Sequence, residues 1–435
     1  MPLYSLRLFL FVLLLFSLQS FADKPSDDYF IPDYLKFDNV TYKSNIKTVQ
    51  LFPESAELAL PLIEMNSGQR LQLSFDDLDA DRKTYSYTLI HCDANWNPTN
   101  LIYTEYLNGY HDENITDYGF SVNTMQRYVH YDLFFPTEGI QLKKSGNYIV
   151  KVFEDYDEKN IVLTRRFMVL GKEVEVSGTA MPATIINDRY TKQEIDFIIS
   201  NPDFEMNDPF QSLKVSILQN QRFDNCINNL KPTFTKPGQL VYDYDEGNVF
   251  KAGNEYRFFQ DRNFRSANEK VAKYNFDDNK QNNIYLLPDD VRSYKRYSNQ
   301  NDINGNFLIK TLDGINSPTD ADYAFIHFYM PCDEPIANSE VYVFGAMSNW
   351  KLMPDFKMTY DTLNKAYIAS PYLKQGYYNY SYAVKNNLSD KVDESFFESS
   401  HFETENDYYI LVYYRAFGTF YDQLVGFKRL NSIRR

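Results

Sequence analysis

The chain has 435 residues, with 44 Lys and Arg against 59 Asp and Glu, for a formal net charge of -15. That balance excludes a general nucleic-acid binder, which needs a basic stripe to displace counterions. Aromatics at 17% within a hydrophobic fraction of 43% exclude a disordered chain, and the length predicts about two to four domains.

Residues 1–22 read as a secretory signal peptide. Arg7 supplies positive charge, residues 8–18 form a short apolar core, and Ser20-Phe21-Ala22 sets cleavage before Asp23. The run is too short to span a bilayer comfortably, and acidic Asp23, Asp27 and Asp28 follow it. The chain is therefore expected to be exported, with no membrane span.

Residues 45–172 predict a first β-sandwich. Strands are expected at 70–75, 84–92 and 128–135, then a hairpin of 146–153 and 161–170 around the acidic turn 154–160. Residues 97–123 are Tyr- and Asn-rich and longer than an ordinary loop, so they should pack on the sandwich as an ordered excursion. A middle β domain is expected over 173–287, with alternation at 194–200 and 213–217. Residues 288–320 are polar and predict a linker. Alternation resumes at 323–330 and continues through 340–344, 358–360, 366–370 and 377–384, predicting a C-terminal sandwich over 321–435. The fold class is all-β, with tandem immunoglobulin-like sandwiches.

Little in the sequence supports catalysis. His91-Cys92-Asp93 sets a thiol beside an imidazole, but adjacent strand residues face opposite ways and should not meet. His111 or His130 remains as a partner from elsewhere for Cys92. Asp77, Asp79 and Asp81 begin a calcium-loop pattern that fails at Arg82 and Thr88, where Gly and Glu are needed. The acidic runs at 155–158 and 243–246 fall in turns, where Asp caps its own backbone. No phosphate-cradling Gly loop and no nucleophile elbow occur. Neither a metal nor a cofactor is expected.

Two aromatic groups are candidate binding surfaces. The first is Trp96 with Tyr103, Tyr106, Tyr110, Tyr118 and Tyr128, on or beside the long excursion, and such rings combine apolar area with a polar tip. Farther on, 341–345 is followed by Ser348-Asn349-Trp350, and 373–380 reads Leu-x-x-Gly-x-Tyr-x-Tyr. These resemble the early-set immunoglobulin-like modules related to glycogen-binding domains. The resemblance makes Trp350 a candidate glycan-binding residue in an alternative reading, an exported carbohydrate-binding protein.

A further series runs through His91-Cys92-Asp93-Ala94-Asn95-Trp96, Glu105-Tyr106-Leu107-Asn108-Gly109, Tyr128-Val129-His130-Tyr131 and Ser145-Gly146-Asn147-Tyr148. It resembles the Bacteroidetes plug proteins of the type IX secretion system, once catalogued as a domain of unknown function. The resemblance implies a non-catalytic periplasmic protein at the inner face of the outer membrane. Its partner would be the giant β-barrel translocon, whose periplasmic mouth it closes as a monomer within a hetero-complex. Trp96, Tyr106 and Tyr110 are the residues expected at that contact.

Overall fold

The computed structural model describes residues 34–264, 268–276 and 281–433. The expected signal peptide lies outside the described residues. Among them, helix is confined to turns of three or four residues, and the remaining regular structure is strand. The fold is all-β, built from packed, mainly antiparallel sheets.

The first sandwich follows the sequence closely. One sheet runs Val40–Thr41, Ile161–Leu170, Gly146–Glu154, Tyr85–Cys92, Asp112–Asn114, with Leu62–Glu64 added parallel to Ile161–Leu170. The facing sheet runs Ile46–Pro53, Leu71–Asp77, Val129–Phe135, Asp117–Phe120. Alternation places Tyr85, Tyr87 and Leu89 on one face of their strand, and all three enter the core with Phe75, Tyr131 and Phe167. Tyr131 stacks on Phe75 at 5.2 Å and meets Tyr85 edge-on at 4.9 Å, so rings rather than aliphatic chains fill the space between the sheets.

The expected middle domain at 173–287, linker at 288–320 and C-terminal sandwich at 321–435 do not coincide with the sheets. The middle sandwich takes one sheet from Glu175–Pro182, Lys192–Ser200, Gln239–Tyr242 and Phe234–Lys236, with Val249–Lys251 alongside. Its second sheet runs Ile227–Leu230, Leu213–Gln219, Asp407–Tyr414, Gln423–Asn431. The last two strands of the chain therefore complete a domain that begins more than half the chain earlier. The third body is an eleven-stranded sheet that starts at Arg257–Gln260 and includes Asn282–Leu286. Phe307–Ile309, inside the expected linker, pairs with Gly376–Asn386.

The Leu-x-x-Gly-x-Tyr-x-Tyr hairpin is core of this third body. A Cβ on Gly376 would stand 2.3 Å from the Leu308 carbonyl oxygen, so only glycine admits that strand. Tyr378 stacks between Phe259 and Phe307 at 5.0 and 5.3 Å, while the Tyr380 and Tyr382 hydroxyls both donate to Asp289.

Candidate docking surface

The excursion is ordered, as its composition suggests. Leu107–Gly109 pairs with Ile140–Leu142, Asp112–Asn114 with Tyr85–Cys92, and Asp117–Phe120 with Val129–Phe135. The short turn Tyr103–Tyr106 points its last ring inward. Tyr106 is 6% exposed, with His91 and Tyr148 at 5.8 and 6.1 Å. Tyr110 is 68% exposed, and its backbone N–H donates to Gly139. Tyr103 packs edge-on against His111 at 5.0 Å and, with Ile102, is also exposed. The excursion thus presents Ile102, Tyr103 and Tyr110 outward. Sequence reasoning included Tyr103 in its aromatic group and missed Ile102. Its position at the N-cap of a one-turn helix carries no periodic signal.

Trp96 does a different job. Asp93 Oδ1 accepts from the backbone N–H groups of Asn95 and Asn97 at 2.9 Å, closing a tight turn in which Trp96 has φ 65°. The turn faces the middle sandwich. Ala94 N–H donates to Asp422 at 2.9 Å, and the Trp96 ring meets Phe223 edge-on at 5.3 Å under the Arg166 guanidinium at 4.7 Å. Met168, Leu170, Leu218, Leu411, Tyr413 and Leu424 bury the rest of this boundary. The His-Cys-Asp-Ala-Asn-Trp series therefore holds the first sandwich against the second.

The boundary between the first and third bodies is polar and buried. Asp76 lies 2.5 Å from Lys374, accepts from the Tyr323 hydroxyl at 2.6 Å and meets His130 Nδ1 at 2.6 Å. Burial opposes charge on Asp76, yet Lys374 and His130 hold its carboxyl below the ordinary range. Burial likewise opposes charge on His130, but Asp132 and Asp76 raise it to about 9. Asp132, despite partial burial, is lowered to about 2 by His130, Ser74 and Gln72. The Lys374 ammonium also sits over the Tyr128 ring at 4.1 Å. Between the middle and third bodies, buried Arg222 pairs with Glu394 at 2.7 Å. Each of the three bodies thus contacts the other two.

Trp350 belongs to this junction. Arg222 lies over its ring at 4.6 Å, with Phe344 and Tyr256 edge-on at 5.5 and 5.7 Å. A Cβ on Gly305, whose φ is 77°, would meet Trp350 Cη2 at 2.1 Å. Stacking a sugar on this ring would require displacing Arg222.

His91 and Cys92 point apart, as adjacent strand residues must. His91 is buried and pulled down to about 4 by burial, with Thr99 at 3.1 Å. Burial pushes the Cys92 thiol well up, which removes the nucleophilic thiolate. Its two alternative partners are engaged elsewhere: His130 with Asp76 and Asp132, His111 with Asp112 and Glu158. Cys92, Cys226 and Cys332 are all free thiols. Asp77 pairs with Lys83 at 3.0 Å and accepts from Tyr85, a structural role. Glu194, Asp196 and Asp243 bring carboxylate oxygens within 4.8 Å of one another, but both Glu194 oxygens already accept from Thr184. Among the described residues, no helix is long and apolar enough to cross a membrane.

Residues 46–171, the first sandwich, match the type 9 secretion system plug protein 1st domain. The whole fold is similar to the crystal structure of a hypothetical protein from Parabacteroides merdae ATCC 43184. The two share 31% identity at a TM-score of 0.87, over 92% of this chain and 100% of the other. No curated protein matches the chain.

Proposed function

The chain belongs, through its first domain, to the type 9 secretion system plug proteins, and on that premise we propose that it binds and closes the periplasmic mouth of the giant outer-membrane translocon barrel. The match over residues 46–171 carries this reading. Closing a wide aqueous pore requires a body that does not deform, and three bodies in mutual contact supply one. The protein acts without catalysis, as a peripheral periplasmic subunit and a single copy in a hetero-complex. Its net charge of -15 disfavours anionic lipid, so a protein dock must hold it at the membrane.

We place the barrel contact on the exposed rim of the excursion. Tyr110 is its centre, with Tyr103 and Ile102 beside it. Of the other two expected residues, Tyr106 supports this rim from beneath, and Trp96 fixes the orientation of the first sandwich on the second. Exposed aromatic anchors typically contribute about 1–2 kcal/mol or more each when buried at a partner.

The test is co-purification from gently solubilised envelopes. The tagged wild-type chain should bring down a very large outer-membrane barrel in stoichiometric amount, and Tyr103→Asp with Tyr110→Asp should abolish this while leaving the melting temperature unchanged. A barrel that co-purifies equally with the double variant refutes the placement of the contact. Absence of any barrel with the wild type refutes the plug itself.

A further inference from the structure

The middle sandwich has two free edges that face each other. Among the described residues, Glu175–Pro182 pairs only with Lys192–Ser200, and Gln423–Asn431 only with Asp407–Tyr414, so each leaves one side of its backbone without a hydrogen-bonded strand. At one end the two edges are tied: Glu173 and Val174 N–H both donate to the Val425 carbonyl, at 2.8 and 3.0 Å. Beyond Gly426 no backbone bond joins them among the described residues. There they part around a slot of about 710 Å3 lined by Gly178, Thr179, Ala180, Met181, Lys428 and Leu430.

Free edges are normally guarded by brevity, charge or proline. The opposite edge of the same sheet obeys this: Phe234–Lys236 is three residues long, carries Lys236 and is followed by Pro237. Glu175–Pro182 is eight residues long, and its stretch Gly178-Thr179-Ala180-Met181 holds neither charge nor proline. Across the slot stand Lys428 and Arg429. Arg429 is paired with Asp407 at 2.6 Å, whereas Lys428 is exposed and forms no ion pair among the described residues. The exposed Lys428 ammonium across the unguarded edge is a local counter-charge for a carboxylate carried on a partner strand.

We propose that the edge of Glu175–Pro182 is a docking site for an extended acidic segment of a partner protein. The segment adds as a strand beside Gly178–Met181 through main-chain hydrogen bonds, directs alternate side chains into the slot and sets a carboxylate toward Lys428. This site stands on strand geometry and charge, and does not depend on the plug assignment.

The experiment titrates the full mature chain with a short labelled peptide of alternating Glu and Val. The same peptide N-methylated at alternate residues and a Lys-Val counterpart serve as comparisons. Saturable binding of the acidic peptide is expected, with hydrogen-exchange protection gained in Glu175–Pro182. N-methylation should abolish it, because the methyl groups remove main-chain donors. The Lys-Val peptide and the Lys428→Glu variant should each bind roughly tenfold more weakly or worse. No saturable binding, equal binding of the N-methylated or basic peptide, or protection elsewhere overturns the proposal. The peptide comparisons use the wild-type chain, so they decide the matter even if Lys428→Glu perturbs folding.

Discussion

Asp76 and Lys374 come from different bodies and have almost no exposure, 0% and 1%. A buried pair of this kind adds little over an apolar pair, but breaking it leaves a charge without its partner. Lys374→Ala should therefore cost about 3–5 kcal/mol in denaturant unfolding. Replacing Asp76 and Lys374 together with apolar residues should cost much less. Two histidines give opposite pH signatures. His130 sits at about 9 against an ordinary 6.5, so its stabilisation is complete below 6.5 and is lost as pH rises through 9. His91 sits at about 4, so the unfolded chain takes up a proton first and stability falls as pH drops from 6.5 toward 4. Melting temperatures across pH should lose the alkaline decline in His130→Asn and the acid decline between 6.5 and 4 in His91→Gln.

The strand Asp407–Tyr414 joins two layers. Ile410 and Val412 enter the middle sandwich, while Leu411 and Tyr413 face the first sandwich across the boundary. Ile410→Ala and Leu411→Ala should each cost about 2–5 kcal/mol. Their locations differ: hydrogen exchange should rise within Leu213–Gln219 and Lys192–Ser200 for the first, and along Ile161–Leu170 for the second. A chain ending before Asp407 removes one of the two partners of Leu213–Gln219 and half of its sheet, so limited proteolysis should degrade the middle sandwich while the first survives.

The same strand shows what sequence reading can and cannot reach. Tyr323–Pro331 is legible because its two faces differ in burial, and Tyr85–Cys92, though buried on both, because small polar Ser86 and Thr88 alternate with Tyr85, Tyr87 and Leu89. Asp407–Tyr414 is buried on both faces and is apolar or aromatic on both after Asp407, so it has no alternation to read. Alternation also does not name a strand's partner. Arg257–Gln260 falls within the expected middle domain, yet the structure pairs it with Gly376–Asn386 of the third body. At the candidate surface the same limit holds: aromatic richness flagged Trp96, Tyr106 and Tyr110 alike, and only burial separates the exposed ring from the two structural ones.

At the scale of the whole molecule, three bodies meet pairwise through an apolar boundary, a buried carboxylate–ammonium network and an Arg222–Glu394 pair. Motion of any one body strains two boundaries, which would suit the proposed role of a part that resists being pushed through a pore. The family series at 91–96 and Trp350 both lie in these boundaries, where their rings pack between bodies. Closure of the pore is read directly as a loss of conductance. The purified barrel, its lateral exit free of cargo, should pass ions in a planar bilayer and fall to near-zero conductance when this chain is added from the periplasmic side. A complex that forms while the conductance stays unchanged would refute closure by this chain.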